Sequence, residues 1–169
     1  VYAFDNDPSK YVSTETVDKN IENYNRGIAI ANRIGNDRFI IDAYKKSVMT
    51  ASTNGYFDVS NHFYSKCYEV VSRIGNAFEE ANIYNGMGYN CSTMEKHSKA
   101  SEYFNKALLI FTKLKDVNYI SETLYNMASI AILAEEYTYA DMFLTTCLKI
   151  CRLIKSDGLR VCNLSKLYG

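Results

Sequence analysis

Arg33-Ile34-Gly35-Asn36 recurs as Arg73-Ile74-Gly75-Asn76, forty residues later. Forty further on stands Lys113-Leu114-Lys115-Asp116, with the same basic–apolar–x–polar order, and Arg152-Leu153-Ile154-Lys155 follows at a spacing of 39. The residues ahead of each copy keep the same phase. Tyr24, Tyr64, Phe104 and Leu144 align, as do Ile30, Val70 and Ile110. A fixed period in this range is the signature of a repeat architecture, in which each unit buries its apolar face only against its neighbours.

Inside one period the apolar spacing is helical. Tyr84, Met87, Gly88 and Cys91 fall at i, i+3, i+4 and i+7, and Leu124, Met127, Ala128 and Ala131 repeat that pattern. The following segment does the same with Ala100, Tyr103, Phe104, Ala107, Leu108 and Phe111. Breakers separate the segments: Asn54-Gly55, Ser92 to His97, and Glu135-Glu136. Gly35 and Gly75 suit helix C-terminal stops, where glycine takes the left-handed conformation without a steric penalty. Each period therefore reads as two antiparallel helices. The spacing predicts a first B-type helix over 16–34, then A/B pairs over 38–53/57–74, 78–93/97–114 and 118–134/137–155, with a further A-type helix from 158. Residues 16–169 form one repeat domain on this reading. Residues 1–15 are expected to be irregular, because Asp5-Asn6-Asp7-Pro8 stands where an A helix should run and proline is costly inside a helix.

Composition agrees with an all-α chain. One Pro and eight Gly in 169 residues leave little material for a turn-rich β fold. Nineteen basic residues balance nineteen acidic ones, which argues against a nucleic-acid surface, since that affinity rests on an excess of Lys and Arg against phosphate. No apolar run approaches the length of a membrane span. Five cysteines, an odd number without a C-x-x-C pair, fit a reduced cytoplasmic setting. Cys147 and Cys151 share a helix face, but neither His62 nor His97 belongs to a ligand pair of zinc spacing, so these thiols read as small core residues and no metal is expected. The chain opens at Val1 and closes inside an apolar-periodic segment, which reads as part of a longer protein.

With these residues in view, the sequence resembles the tetratricopeptide repeat family. The best copy spans 81–114, with Tyr84, Met87-Gly88, Cys91, Ala100, Phe104 and Ala107 at the family's large, small and aromatic positions. The next copy supplies Leu124, Met127-Ala128, Ala131, Ala140, Leu144 and Cys147. The first supplies Tyr44, Ser47-Val48, Ala51, Ser60, Tyr64 and Cys67. Small residues let helix backbones approach, and aromatics fill the wedge between neighbouring pairs. The period is forty where the family standard is thirty-four, and the usual closing proline is absent. Such lengthened repeats resemble those of bacterial regulatory proteins. The resemblance implies a right-handed α-solenoid of antiparallel pairs whose A helices line a concave groove. It places Lys45 and Met49, with Asp42 and Lys46, in that groove from the first copy. Asn82, Asn85 and Tyr89, with Ser92, come from the second. Glu122, Tyr125, Asn126 and Ser129, with Leu133, come from the third. Asn85 and Asn126 stand out, because a carboxamide donates to and accepts from a peptide main chain at once. Tyr89 and Tyr125 offer a flat apolar face with a polar tip.

No catalytic or cofactor signature accompanies the repeat. Gly86-x-Gly88 lacks the third glycine of a dinucleotide fingerprint and follows no strand, and no phosphate loop, zincin or nucleophile-elbow motif occurs. Asn90-Cys91-Ser92 and Asn163-Leu164-Ser165 match the glycosylation pattern but fall in predicted helices. The expected function is a non-catalytic module, without a cofactor, that binds a peptide or protein segment and regulates an attached output domain. The competing expectations are the sensory or dimerisation part of a signalling enzyme such as a diguanylate cyclase, and a plain scaffold. A terminal repeat needs a polar cap, so the apolar last helix calls for a homodimer or a further repeat.

Overall fold

The structure is a computed structural model that describes residues 14–153. Seven helices account for nearly all of them: α1 (Thr14–Ile34), α2 (Asp37–Thr53), α3 (Phe57–Ile74), α4 (Ala77–Thr93), α5 (His97–Leu114), α6 (Val117–Leu133) and α7 (Tyr137–Leu153). No strand occurs among the described residues. α1 begins two residues ahead of its expected start. Residues 1–13 and the A-type helix expected from 158 lie outside the described residues. The helices group into two compact units, Val1–Arg73 and Ile74–Gly169.

The connections are three-residue or two-residue turns set by one left-handed residue each. These are Gly35, Gly55, Gly75, Glu95, Lys115 and Glu135, all with φ between 58 and 79°, at an unbroken spacing of twenty. Half a repeat is thus one helix plus one turn. After Gly35 and Gly75 the next residue, Asn36 or Asn76, caps the following helix by accepting a hydrogen bond from the backbone N–H of Phe39 or Glu79. Asp116 does the same for Tyr119. A side-chain acceptor there satisfies a helix N–H that has no partner inside the helix. Lys115 holds φ 58° with a Cβ, where its equivalents are glycine. Lys115→Gly is therefore expected to stabilise the chain by about 1 kcal/mol, the usual steric cost of a left-handed L-residue. A thermal melt no higher than that of the parent chain would contradict it.

In the first unit α1 packs on α2. α2 meets α3 through the Tyr44 and Phe63 rings, with centroids 6.3 Å apart, and through a 2.7 Å hydroxyl contact between Ser52 and Ser60. Ser60 is fully buried, so this bond joins the pair where an unpaired hydroxyl would be costly. An ion pair between Asp37 and Arg73 ties the start of α2 to the last turn of α3. Each charge also complements its own helix dipole. Burial pushes the Tyr64 phenol up to about 12, with Cys67 beside it adding to the rise. The unfolded chain loses that proton near the ordinary tyrosine value of 10.0, the folded chain only two units higher. The resulting stability is complete below pH 10 and is lost as pH rises toward 12. Tyr64→Phe is expected to flatten that alkaline decline in urea melts at stepped pH. An unchanged slope would place Tyr64 in water.

In the second unit α4, α5 and α6 surround Phe104, whose ring packs with Cys91, Ala100, Met127 and Ile130. Ala100, Ala107 and Ala128 are wholly buried, as their small-residue pattern predicts, and Ala81 is buried with them. Gly88 shows why size matters here: a Cβ at that position would stand 2.8 Å from Cε1 of Phe104. A second cluster joins Ala81, Ala107 and Phe111 to Phe78, Tyr84, Ile110, Tyr119 and Ile120. Tyr84 stacks on Tyr103 of its own pair, ring centroids 6.3 Å apart, and shares this cluster with Tyr119 and Ile120 of the next pair, the wedge position of an aromatic between neighbouring pairs. α7 packs on α6, and the Cys147 thiol donates to the Ser121 carbonyl at 3.5 Å.

Candidate functional site

Helices α2, α4 and α6 begin at Asp37, Ala77 and Val117, forty residues apart, and this fixes the register of the candidate residues. Asp42, Asn82 and Glu122 are equivalent, as are Lys45, Asn85 and Tyr125, and Met49, Tyr89 and Ser129. Asn126 is equivalent to Gly86 and Lys46, so the two favoured asparagines occupy adjacent tracks of the stripe. On each helix the positions fall at i, i+3, i+4 and i+7, one continuous face.

In the second unit that face is carried by α4 and α6, which touch. Asn82, Asn85, Tyr125, Asn126 and Ser129 are half-buried, while Tyr89 and Glu122 are exposed. The face is polar but partly withdrawn from water, the environment in which a hydrogen bond to a ligand is worth more than on an open surface. Ser129 is already committed, its hydroxyl donating to the Tyr125 carbonyl at 3.1 Å. Asn85 is not. Its Oδ1 is buried and has no hydrogen-bond donor. Gly86, between Asn82 and Tyr89 on this face, lacks a side chain where α6 carries Asn126. Sequence reading passed over Gly86 as part of a failed dinucleotide motif, and the forty-residue register is the signal that places it here.

In the first unit Lys45 and Met49 occupy the same face of α2, both exposed, with Asp42 and Lys46 exposed beside them. Of the remaining groups, Asn90 is 1% exposed inside α4, which removes it as a glycosylation acceptor. Asn163 lies outside the described residues. Cys67, Cys91 and Cys147 are buried thiols, and no set of three His, Cys, Asp or Glu side chains gathers to hold a metal among the described residues. Among those residues no helix is long and apolar enough to cross a membrane.

No protein-family model matches the sequence, and no curated protein is significantly similar to it. Solved structures do match. The crystal structure of BtubC (BKLC) from P. vanneervenii aligns with a TM-score of 0.72 at 18% identity, over 84% of this chain and 59% of that one. A Rap protein complexed with Competence and Sporulation Factor aligns at 0.74 and 12% identity, over 87% of this chain and 42% of the Rap chain. The apo form of RapI aligns at 0.60 and 11% identity, over 94% and 69%. At such identities the likeness shows the fold: an all-α helical-repeat solenoid class built of antiparallel helix pairs. The chain spans less than two thirds of the length of the first two of these proteins.

Proposed function

We propose that the chain is a non-catalytic binding module and that the α4–α6 face takes an extended peptide or protein segment. The observation that carries the reading is the buried Asn85 Oδ1 without a donor. A buried acceptor left unpaired costs free energy, and a main-chain N–H of a bound segment relieves that cost. Asn82 and Asn126 add carboxamides on the same face, each able to donate and accept along a peptide backbone. Tyr89, 60% exposed, offers a ring for an apolar side chain of the ligand. The Rap structure with its bound factor supports the reading by fold alone. The module serves as the sensory part of a regulatory protein, and its ligand shifts the state of an output domain elsewhere in that protein.

The test is selection of phage-displayed random peptides on the full chain, followed by calorimetric titration of the enriched sequences. A shared consensus is expected, with binding weakened at least about tenfold by Asn85→Ala combined with Asn126→Ala, the loss of about 1.4 kcal/mol. No enrichment over an unrelated helical protein, or affinity unchanged by the double variant, overturns the assignment.

A further inference from the structure

We infer that Gly86 opens a notch on the α4–α6 face that seats one large apolar side chain of the bound segment. The inference rests on the binding reading above and names the feature that fixes where the segment lies. Gly86 stands in the interior of α4, where glycine is the least favourable residue after proline. No turn calls for it, since the positive-φ glycines are Gly35, Gly55 and Gly75. Its neighbour Gly88 has a packing reason, because its Cβ would stand 2.8 Å from the Phe104 ring. Gly86 does not share that reason. Two residues along a helix turn the chain by about 200°, so Gly86 faces away from the ring. Gly88 is buried and Gly86 half-buried, as that rotation requires.

The residues around Gly86 belong to the binding face. Asn82 stands at i−4 and Tyr89 at i+3, the spacings of neighbours on a helix surface. A segment that touches both the Asn82 carboxamide and the Tyr89 ring therefore crosses Gly86. The equivalent rows are Asp42, Lys46 and Met49 on α2, and Glu122, Asn126 and Ser129 on α6. Lys46 and Asn126 fill the middle of their rows with a polar side chain. Of these three rows only that of α4 is open, which directs the segment onto α4. Asn85 lies on the adjacent track, so a main chain that bonds its buried Oδ1 is held beside the opening.

The chemistry of the notch selects an apolar occupant. Its floor is helix backbone, whose N–H and C=O groups are bonded along α4 and offer nothing to a polar side chain. Side chains on a helix tilt toward its N-terminus, so Tyr89 leans toward Gly86. Its ring is 60% exposed and presents an apolar face. A charged or amide side chain seated there would give up water for no partner, whereas one the size of Leu or Phe covers the ring. The Asn82 carboxamide, at the other end of the row, then bonds the main chain of that same ligand residue.

The probes are peptides enriched by phage display on the full chain, each made in two forms, with its shared large apolar residue and with alanine in that place. Calorimetric titration reads both forms against the parent chain and Gly86→Leu. Gly86→Leu fills the notch and should weaken the apolar form at least about tenfold, equal to 1.4 kcal/mol. The alanine form should bind the parent chain about tenfold more weakly and be indifferent to Gly86→Leu, because the two changes remove one shared contact. Gly86→Ala should raise the melting temperature by about 2–4 °C, since alanine is the better helix former. A fall in melting temperature would give Gly86 a packing partner and overturn the inference. Equal losses for both peptide forms overturn it too, because leucine would then disturb the whole face. Peptides that depend on Asn85 yet bind Gly86→Leu with parental affinity overturn this inference alone. No enrichment, or peptides indifferent to Asn85→Ala combined with Asn126→Ala, overturns the α4–α6 reading and this inference with it.

Discussion

Phe104→Ala is expected to remove about 3–5 kcal/mol of stability, the cost of emptying a large buried aromatic site. Phe104 is 1% exposed and is the side chain that Cys91, Ala100, Met127 and Ile130 share. Those four belong to α4, α5 and α6, so the ring joins three helices. The surrounding atoms cannot collapse into its space without moving a helix, which puts the loss at the upper end. The converse change at Gly88 tests the same contact from the other side. A Cβ there would lie 2.8 and 2.9 Å from two atoms of the ring, an overlap that a packed side chain cannot yield to cheaply. Gly88→Ala should therefore cost about 1–3 kcal/mol. This holds even though alanine is the better helix former by about 1 kcal/mol. In a Phe104→Leu background the overlap disappears, and Gly88→Ala should become neutral or stabilising. Urea melts of the four chains give the coupling directly. If the two changes add, or if Phe104→Ala costs under about 1 kcal/mol, then α4, α5 and α6 do not pack around this ring.

The repeat was legible because it is written in residues that can do little else. Gly35, Gly55 and Gly75 mark turns openly, and their spacing of twenty locates the rest. Glu95, Lys115 and Glu135 adopt the same left-handed conformation with no local signal, since a side chain with a Cβ is strained there but tolerated. The period supplies what composition hides. Asn90 was illegible for a different reason. Hydrophobic patterning assigns an amide to the surface, yet tertiary contacts bury this one at 1% exposure. The face of the A helices was readable as a stripe. Which of its amides is withdrawn from water was not, because burial depends on the facing helix forty residues away. Asn85 and Asn126 stand one residue out of register across the forty-residue repeat. The helix starts at Ala77 and Val117 show that Asn85 pairs in register with Tyr125.

Asn85→Leu should raise stability while destroying function, a combination that neither a purely structural nor an idle surface residue would give. The Asn85 Oδ1 is buried without a donor, so the folded state carries an unpaired acceptor worth about 1–3 kcal/mol of desolvation. Leucine is of similar size, has no polar atom to desolvate and is the better helix former by a few tenths of a kcal/mol. A gain of about 1–2 kcal/mol is expected, which moves the melting temperature of a chain this size up by several degrees. Binding sites are where folds keep such uneconomical groups, because selection acts on the liganded state. The same change removes the acceptor that a ligand N–H would use, so peptides selected on the parent chain should lose at least about tenfold in affinity. Asn85→Gln keeps an acceptor on a longer arm and should restore part of the binding without the gain in stability. A melting temperature that stays level or falls would mean that the amide is satisfied within the fold and holds α4 in place. A more stable Asn85→Leu chain that still binds with parental affinity would leave the carboxamide without a ligand to read, and the α4–α6 face would lose its claim as the site.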